Sequence, residues 1–279
     1  MENATLTKPQ SSLKAVKKAT KFFYSIEKWR PHDAHELYLL EKKCWAPWLQ
    51  KQEKDFLNIA TNYPDLQRLI RNKQGVVVAA MSVNRINWDG ASETLPTWDK
   101  IAGGAIETSN FSSTYAPHGN TLCLMSMNVS QNLQGIGLAQ KLIEELKKTA
   151  IKLKVKHIIS SLRPTDYGTY KLEQLRKKEP LISFEEYCSL QTDKDKPYDH
   201  WLRSAFHQGM KQIGISKDSI VVTVDKKTFQ LFMKKYRPDQ WIRFSDIKWE
   251  CGETGSWYVD KNSATYREDN LSVELPFVS

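Results

Sequence analysis

Cysteine is scarce in this sequence: its four cysteines, at positions 44, 123, 188 and 251, are widely separated. No Cys-x-x-Cys pair exists, so a structural zinc site is not expected. Long apolar runs are missing too. No apolar stretch reaches the roughly 18 residues needed to cross a bilayer, and residues 1–23 lack the apolar core of a secretory signal. We therefore expect a cytosolic protein with reduced thiols and no membrane partner.

Two common phosphate-binding motifs are also missing. The sequence has no Gly-Lys-Ser or Gly-Lys-Thr, which excludes a P-loop. A dinucleotide-binding turn needs Gly-x-Gly-x-x-Gly followed by an acidic residue at the end of the next strand. Here position 140 is Gln, and the predicted strand over 155–162 ends without a suitable Asp or Glu.

The residues that are present describe a globular protein with a basic surface. The chain has 279 residues, 40% of them hydrophobic, which excludes wholesale disorder, collagen and a pure coiled coil. A net charge of +9 attracts anions such as nucleic acid, acidic membranes or phosphorylated small molecules. The lysines are spread along the chain without an Arg-rich block, so a solvated lysine-rich surface explains the charge at least as well, and we do not expect nucleic acid as a partner.

Apolar periodicity and turn residues predict an alternation of strands and helices. The segment 121–162 has the order strand, glycine turn, helix, strand, which is typical of a βαβ unit. Residues 88–120 are predicted as a loop with a short strand at 102–108. The other predicted strands cover 22–30, 76–83, 219–224 and 271–278, and the predicted helices begin at Pro31 or cover 51–72 with a kink at Pro64, 134–153, 199–209 and 228–236.

The predicted domain organisation has a polar tail and one large domain. Residues 1–20 are lysine-rich and are predicted to be mobile. Residues 21–279 form a single domain, with an insertion at about 164–197 and a C-terminal extension at 226–279. The extension is expected to pack on the core through its tryptophans, Trp241, Trp249 and Trp257.

The most informative segment is 127–139, where a predicted strand runs into a turn with two glycines that opens an amphipathic helix. The first turn of a helix has free N–H groups and a positive dipole end. Gly135 and Gly137 have no side chains, so a pyrophosphate can approach the backbone. A turn with two glycines can also exist for packing alone, and this interpretation stays open.

Residues 132–137, Asn-Leu-Gln-Gly-Ile-Gly, resemble the acetyl-CoA signature Gln/Arg-x-x-Gly-x-Gly/Ala of the GCN5-related N-acetyltransferase (GNAT) superfamily. Asn132 departs from the family pattern at its first position. The order of predicted elements over about 22–225 also agrees. Further phrases resemble a branch of large bacterial GNAT proteins: Trp88-Asp89-Gly90, Leu95-Pro96-Thr97-Trp98-Asp99, His118-Gly119-Asn120-Thr121-Leu122 and Leu162-Arg163-Pro164-Thr165. The resemblance implies an α+β fold with a mixed, mostly antiparallel central sheet flanked by helices.

The resemblance also implies acetyl-CoA or another acyl-CoA as co-substrate. Its pantetheine arm would lie between the strands 121–129 and 155–162, and its pyrophosphate on the N–H groups of 134–139. The residues implied as acyl-CoA contacts are Met127, Asn128, Val129, Gln134, Gly135, Ile136, Gly137, Leu138, Ala139 and Lys141.

Direct attack by an amine needs a proton acceptor, and a departing thiolate is helped by an acid. Candidate proton acceptors are Glu107, His118 and His207. Each has a simpler interpretation: Glu107 as a surface carboxylate, His118 as a solvated turn residue and His207 as a helix cap. The family's usual acid is a Tyr whose position here is Ala205, so Tyr167 and Tyr170 are candidate replacements, or lid packing. Candidate acceptor-binding residues are Trp98, Asp99 and Arg163, of which the first is alternatively core packing and the last a structural ion pair.

These features predict an acyl-CoA-dependent N-acyltransferase that acts on a small amine or on a protein amine. One alternative keeps the fold and transfers the acyl group to a carrier-protein thiol, as polyketide loading domains do. Another is a non-catalytic module that binds CoA or nucleic acid.

Overall fold

The computed structural model describes residues 23–106 and 108–277. The predicted tail at 1–20 and the candidate Glu107 lie outside the described residues. Within this part of the chain no helix is long and apolar enough to cross a membrane. The strands are β1 (Tyr24–Glu27), β2 (Arg68–Asn72), β3 (Val77–Ile86), β4 (Thr121–Val129), β5 (His157–Leu162), β6 (Lys211–Asp225), β7 (Ile242–Arg243), β8 (Lys248–Glu250), β9 (Ser256–Val259) and β10 (Ser263–Glu274).

Helices cover both faces of this strand framework. They are α1 (Ala34–Cys44), α2 (Glu53–Asn62), α3 (Trp98–Ala102), α4 (Phe111–Thr114), α5 (Leu138–Leu153), α6 (Tyr167–Lys177), α7 (Phe184–Ser189), α8 (His200–His207) and α9 (Lys226–Lys235). Short 3-10 turns include Pro31–Asp33, Pro47–Leu49 and Gln131–Leu133. The buried apolar residues form two clusters, which include Trp29, Trp48 and Trp257 in one and Leu142, Leu146 and Leu271 in the other.

The strands form one sheet in the order β1-β2-β3-β4-β5-β10-β9-β8-β7, with β6 paired to β10. β4 and β5 are parallel, and the other pairs are antiparallel. A parallel pair needs a crossover, and α5 provides it. The predicted βαβ unit and the mixed, mostly antiparallel sheet are therefore confirmed.

The predicted helix over 51–72 is wrong in its second half. The helix α2 ends at Asn62, before Pro64, because proline cannot continue a helix and disfavours helical backbone in the residue before it. Residues Arg68–Asn72 are the strand β2. Leu69 and Ile70 are both fully buried but belong to different core clusters, since neighbouring side chains of a strand point to opposite faces.

The short strand predicted at 102–108 is also wrong, because the described residues there form no strand. Instead residues 98–102 form α3. Thr97 caps its N-terminus, where the Thr97 side chain accepts the Lys100 N–H, and Gly103 caps its C-terminus with a φ of 77°. A second short helix, α4, follows. The predicted loop over 88–120 therefore contains two helices, and α3 packs on the sheet beside β4 and β6.

The predicted extension at 226–279 contains one of the central strands. β10 pairs with β6 along one edge, and with both β5 and β9 along the other edge. It begins at Ser263, well before the predicted start at residue 271. The intervening segment, residues 226–262, adds α9 and the strands β7, β8 and β9 beside the end of β5.

Candidate active site

The parallel strands β4 and β5 part halfway along their length. Their pairing ends at Leu124 and Ser160, where the Ser160 hydroxyl donates to the Leu124 carbonyl at 3.0 Å. The next residue, Met125, is an extra residue in β4, because Ser82 and Val83 of β3 pair with Ser126 and Leu124. Such a bulge bends a strand. Within the described part of the chain, the edge of β4 over 125–129 therefore has no strand partner on the β5 side.

A cavity of about 20 Å³, room for about one water molecule, lies where the strands part. Met125 and Ser126 of β4 line one side, and Ser161 of β5 lines the other. Trp98 of α3 closes the cavity, and its indole N–H donates to the Met125 carbonyl at 2.9 Å. The backbone carbonyl that the bulge leaves without a strand partner is thereby satisfied.

Asp99 follows Trp98 and has one carboxylate oxygen without a partner. Its Oδ2 accepts the N–H of Val221 at 2.9 Å, while Oδ1 is buried and accepts no hydrogen bond from the part of the chain that is described. Burial, and secondarily the nearby carboxylate of Glu268, raise the pKa of Asp99 to about 7. At neutral pH this carboxyl group can therefore both hold and release a proton.

Arg163 directly follows β5 and lines the same cavity. Its guanidinium donates to Glu268 from Nε at 2.5 Å and from Nη2 at 2.7 Å, and to Glu253 from Nη2 at 3.0 Å. It also lies 5.1 Å from the centre of the Trp45 ring. Arg163 thus forms a structural ion pair, which was the alternative to its predicted role in acceptor binding.

The Asn128 side chain holds β4 against α1. Its Nδ2 donates to Glu41 at 2.6 Å, and its Oδ1 accepts the indole N–H of Trp45 at 2.5 Å. Glu41 in turn lies 3.7 Å from the ammonium of Lys51, which is only 2% exposed. Because Glu41 and Trp45 hold the Asn128 side chain inside the protein, the contact with acyl-CoA that was predicted for this residue would come from its backbone.

The turn after β4 contains both glycines in a left-handed conformation, with φ of 77° at Gly135 and 88° at Gly137. The helix α5 therefore begins at Leu138, and the predicted start at 134 is wrong, since positive φ is not helical. Apart from the neighbours of each glycine in the chain, no heavy atom of the described residues lies within 4 Å of the position that a Cβ would take on Gly135 or Gly137. Among the residues described, none accepts the backbone N–H groups of 135–140. Lys141, one turn into α5, is paired with Glu144 at 2.9 Å.

No protein-family model matches the chain. Over 165 residues it is 26% identical to the arginine N-acetyltransferase avaD of Aspergillus versicolor. That match covers 56% of this chain and 52% of avaD, so it spans about half the length of that protein.

Two solved structures share the topology. The loading GNATL domain of CurA from Lyngbya majuscula has a TM-score of 0.55 at 17% identity, over 68% of this chain and 85% of that one. The GphF GNAT-like decarboxylase, solved with isobutyryl-CoA, has a TM-score of 0.51 at 19% identity, over 87% and 98%. The chain has the GNAT fold. The fold class and the family resemblance predicted from the sequence are thereby confirmed at the level of the fold.

The GNAT fold places several predicted catalytic residues away from the cavity. His118 is exposed in the turn before β4, at the end where β4 and β5 are still paired. His207 is exposed as the last residue of α8. The buried Tyr167 donates its hydroxyl to the Ile182 carbonyl at 3.2 Å, and Tyr170 lies among the aromatic rings around α7. None of these four lines the cavity between β4 and β5.

Two features were missed by sequence reasoning. Asn270 of β10 lines the cavity, and its buried Oδ1 has no partner among the described residues. Sequence reasoning placed Asn270 before the last predicted strand, because Asn is uncommon in strands. His200 lies 2.6 Å from Asp166 through Nδ1 and 3.5 Å from the Thr165 hydroxyl through Nε2. The Arg163-Pro164-Thr165 phrase quoted for the resemblance was the signal available for this second group.

Proposed function

We propose that the protein is an acyl-CoA-dependent N-acyltransferase, which transfers an acyl group such as acetyl to an amine by direct attack on the thioester. One observation carries the proposal. The edge of β4 over 125–129, which pairs with no described strand on the β5 side, leads from the cavity into the two-glycine turn, and no described residue accepts the backbone N–H groups of 135–140. A strand edge followed by free N–H groups suits an extended thioester whose far end carries phosphates.

The residues present suit an acyl-CoA substrate. The N–H groups of 135–140 at the start of α5 would hold the pyrophosphate, since the space beside Gly135 and Gly137 is open. The β4 edge would pair with the pantetheine amides as an added strand. Backbone N–H groups around Met127 and Val129 would polarise the thioester carbonyl. The co-substrate supplies an activated acyl group with a good leaving group.

The named relatives support the same chemistry. The avaD protein is described as an arginine N-acetyltransferase, and the GphF domain was solved with an acyl-CoA. Both observations favour an acyl-CoA donor, and the first favours an amine as acceptor.

Asp99 is the residue we assign as proton acceptor for the amine. An ammonium must lose a proton before it attacks, and a base works best when its pKa is near the working pH. Asp99 has a pKa raised to about 7 and an Oδ1 that accepts no hydrogen bond from the described residues. It directly follows Trp98, which lines the cavity, although Asp99 is not itself a lining residue.

The test is titration calorimetry of acetyl-CoA against the wild-type protein, Gly135→Asp and Gly75→Asp. Gly75 is a matched control, because it has a φ of 81°, open space around it, and a place in the turn between β2 and β3. We expect Gly135→Asp to weaken binding at least tenfold and Gly75→Asp to bind as the wild type does. Equal affinities in all three folded proteins, or no binding by the wild type, would contradict the proposal.

A further inference from the structure

Asn270 carries the buried oxygen that has no explanation in the fold. The residue is fully buried on β10, and its Oδ1 accepts no hydrogen bond within 23–106 and 108–277. Buried acceptors in proteins are normally paired, because an unpaired one loses the hydrogen bonds that water gives it in the unfolded chain. An unpaired acceptor that lines a cavity therefore points to a ligand that brings a donor.

The orientation of this amide is set by its neighbours. The Asn270 Nδ2 donates to Glu268 Oε1 at 2.9 Å and to the Asp269 carbonyl at 3.0 Å. Both partners accept hydrogen bonds, so the amide cannot turn round without placing oxygen against oxygen. Oδ1 is thereby held in its unpaired position.

Glu268 is itself held in place. It accepts hydrogen bonds from Arg163 to both oxygens, and its Oε2 also accepts the Tyr266 hydroxyl at 2.5 Å. A bidentate Arg–carboxylate pair is a rigid support. The chain Arg163–Glu268–Asn270 therefore runs from the end of β5 to β10 and ends on an oxygen beside the cavity.

Three side chains that line this cavity donate to other partners. The indole N–H of Trp98 goes to Met125, that of Trp45 goes to Asn128, and Arg163 donates to its two glutamates. The ammonium of Lys51 and the hydroxyls of Ser126 and Ser161 also line it, and none of them donates to Oδ1. Met125 and Ser161, from the two parted strands, line the same space. Asn270 thus lines the cavity where β4 and β5 part, at one end of the β4 edge along which the proposed function places the acyl-CoA.

We infer that Asn270 binds the acceptor amine, its Oδ1 accepting a hydrogen bond from the nitrogen that attacks the thioester. This assignment rests on the proposed function. The ammonium, for which Asp99 is the proton acceptor assigned under the proposed function, first loses one proton. Its lone pair then forms the new C–N bond as the C–S bond breaks. The nitrogen loses a second proton, which neutralises the departing thiolate, and the products are the amide and the CoA thiol.

The same contact distinguishes between acceptor classes. An amine still carries two N–H bonds while it attacks, so it can donate to Oδ1 throughout the step. A thiol or hydroxyl gives up its one proton to become the nucleophile and then has nothing to donate. Its lone pairs would face the oxygen of Asn270. The residue therefore favours N-acylation over acyl transfer to a thiol, because only the amine keeps the hydrogen bond in the transition state.

The experiment measures transfer from acetyl-CoA to a panel of amines (L-arginine, 1,4-diaminobutane and glycylglycine) and to one thiol, N-acetylcysteamine. The variants are Asn270→Ser and Asn270→Leu. Ser272→Ala is the control, because Ser272 is buried on the same strand and bonds to Ser216 rather than lining the cavity. Calorimetry with acetyl-CoA and circular dichroism are run on every protein.

We expect both Asn270 variants to raise the amine KM or lower kcat/KM at least tenfold, with acetyl-CoA affinity unchanged and with a lower ratio of amine to thiol transfer. Should Asn270→Leu fail to fold, Asn270→Ser carries the test. Unchanged amine kinetics in a folded variant overturn the inference and leave the proposed function standing. A wild-type protein that binds acetyl-CoA but acylates only the thiol, or no amine in the panel, overturns both the inference and the amine acceptor of the proposed function, and leaves only acyl-CoA binding. Failure of the wild type to bind acetyl-CoA overturns the proposed function itself.

Discussion

Asp99 gives the folded protein a pH dependence that can be checked without knowing the acceptor. Its pKa is raised from an ordinary value of 3.8 to about 7, chiefly by burial. Between these two values the folded protein keeps a proton that the unfolded chain releases. Rising pH therefore lowers stability over this window, with a slope of at most about 1.4 kcal/mol per pH unit.

Asp99→Asn removes this titration, so its stability relative to the wild type is expected to rise as pH increases from about 4 to about 7 and then to level off. Urea unfolding of both proteins across this range measures the difference. Asp89→Asn is the control, because Asp89 is exposed and hydrogen bonds from Thr94 and Ala91 lower its pKa, away from the window. A flat difference for Asp99→Asn would contradict the raised pKa. If Asp99 is the base, the same variant also loses roughly 10²–10⁴-fold in kcat at neutral pH.

Gly168 sets the distance between α6 and the loop that joins β8 to β9. A Cβ on this residue would stand 2.1 Å from the carbonyl oxygen of Gly252, which is backbone and cannot turn aside. Ala is otherwise better than Gly in a helix by up to about 1 kcal/mol. Overpacking costs about 1–3 kcal/mol and is greatest against backbone, so the clash wins.

We therefore expect Gly168→Ala to be less stable than the wild type by about 1–2 kcal/mol in urea unfolding. Gly214→Ala is the matched control, because nothing lies within 4 Å of its Cβ position and its φ is not positive. Equal midpoints for the two variants would show that α6 can move away from the loop at no cost.

The elements predicted well are those whose pattern is local. The bounds of β4 were predicted to the residue, and the buried stripe of α5, with Leu142 and Leu146, follows from helical spacing. The strand β2 was missed because its adjacent residues Leu69 and Ile70 are both apolar, a pattern that a buried helix shares. Pro64, which cannot continue a helix, was the signal that separates the two elements. Local spacing therefore predicts the type of an element such as β4 or α5. It does not separate a strand that is buried on both faces, such as β2, from a buried helix.

The cavity could not be predicted, because its parts meet only in the folded chain. Arg163 and Glu268 are 105 positions apart, and no local spacing relates them. The Met125 bulge that parts β4 from β5 depends on the register with β3, which the sequence of β4 alone does not contain. The glycine turn was found because the role proposed for it, binding the pyrophosphate, rests on consecutive residues. The candidate acceptor site was not found because its Asn270 comes from β10, far away in the sequence.

At the scale of the whole molecule, an aromatic cluster joins the segment after α1 to residues 226–266. Trp48, in the turn after α1, lies with its ring 5.3 Å from that of Trp257 and 5.6 Å from that of Tyr266. Rings from residues 226–262 complete the cluster: Phe229, Phe232, Tyr236 and Trp241. Because residues 226–262 share this core with the segment that follows α1, we expect them to unfold together with the rest of the sheet.

Trp257→Ala tests this. Trp257 is fully buried, and truncation of a core tryptophan costs about 3–5 kcal/mol. In one cooperative unit this loss moves the entire urea curve to lower concentration, and tryptophan fluorescence and far-ultraviolet circular dichroism keep a common midpoint. Trp249→Ala, in the same segment 226–262 but only half-buried, is expected to shift the curve less. An early transition seen by fluorescence alone would mean that 226–262 is a separate folding unit, and acetyl-CoA binding would then survive its unfolding. With one unit, binding and the aromatic core are lost at the same urea concentration.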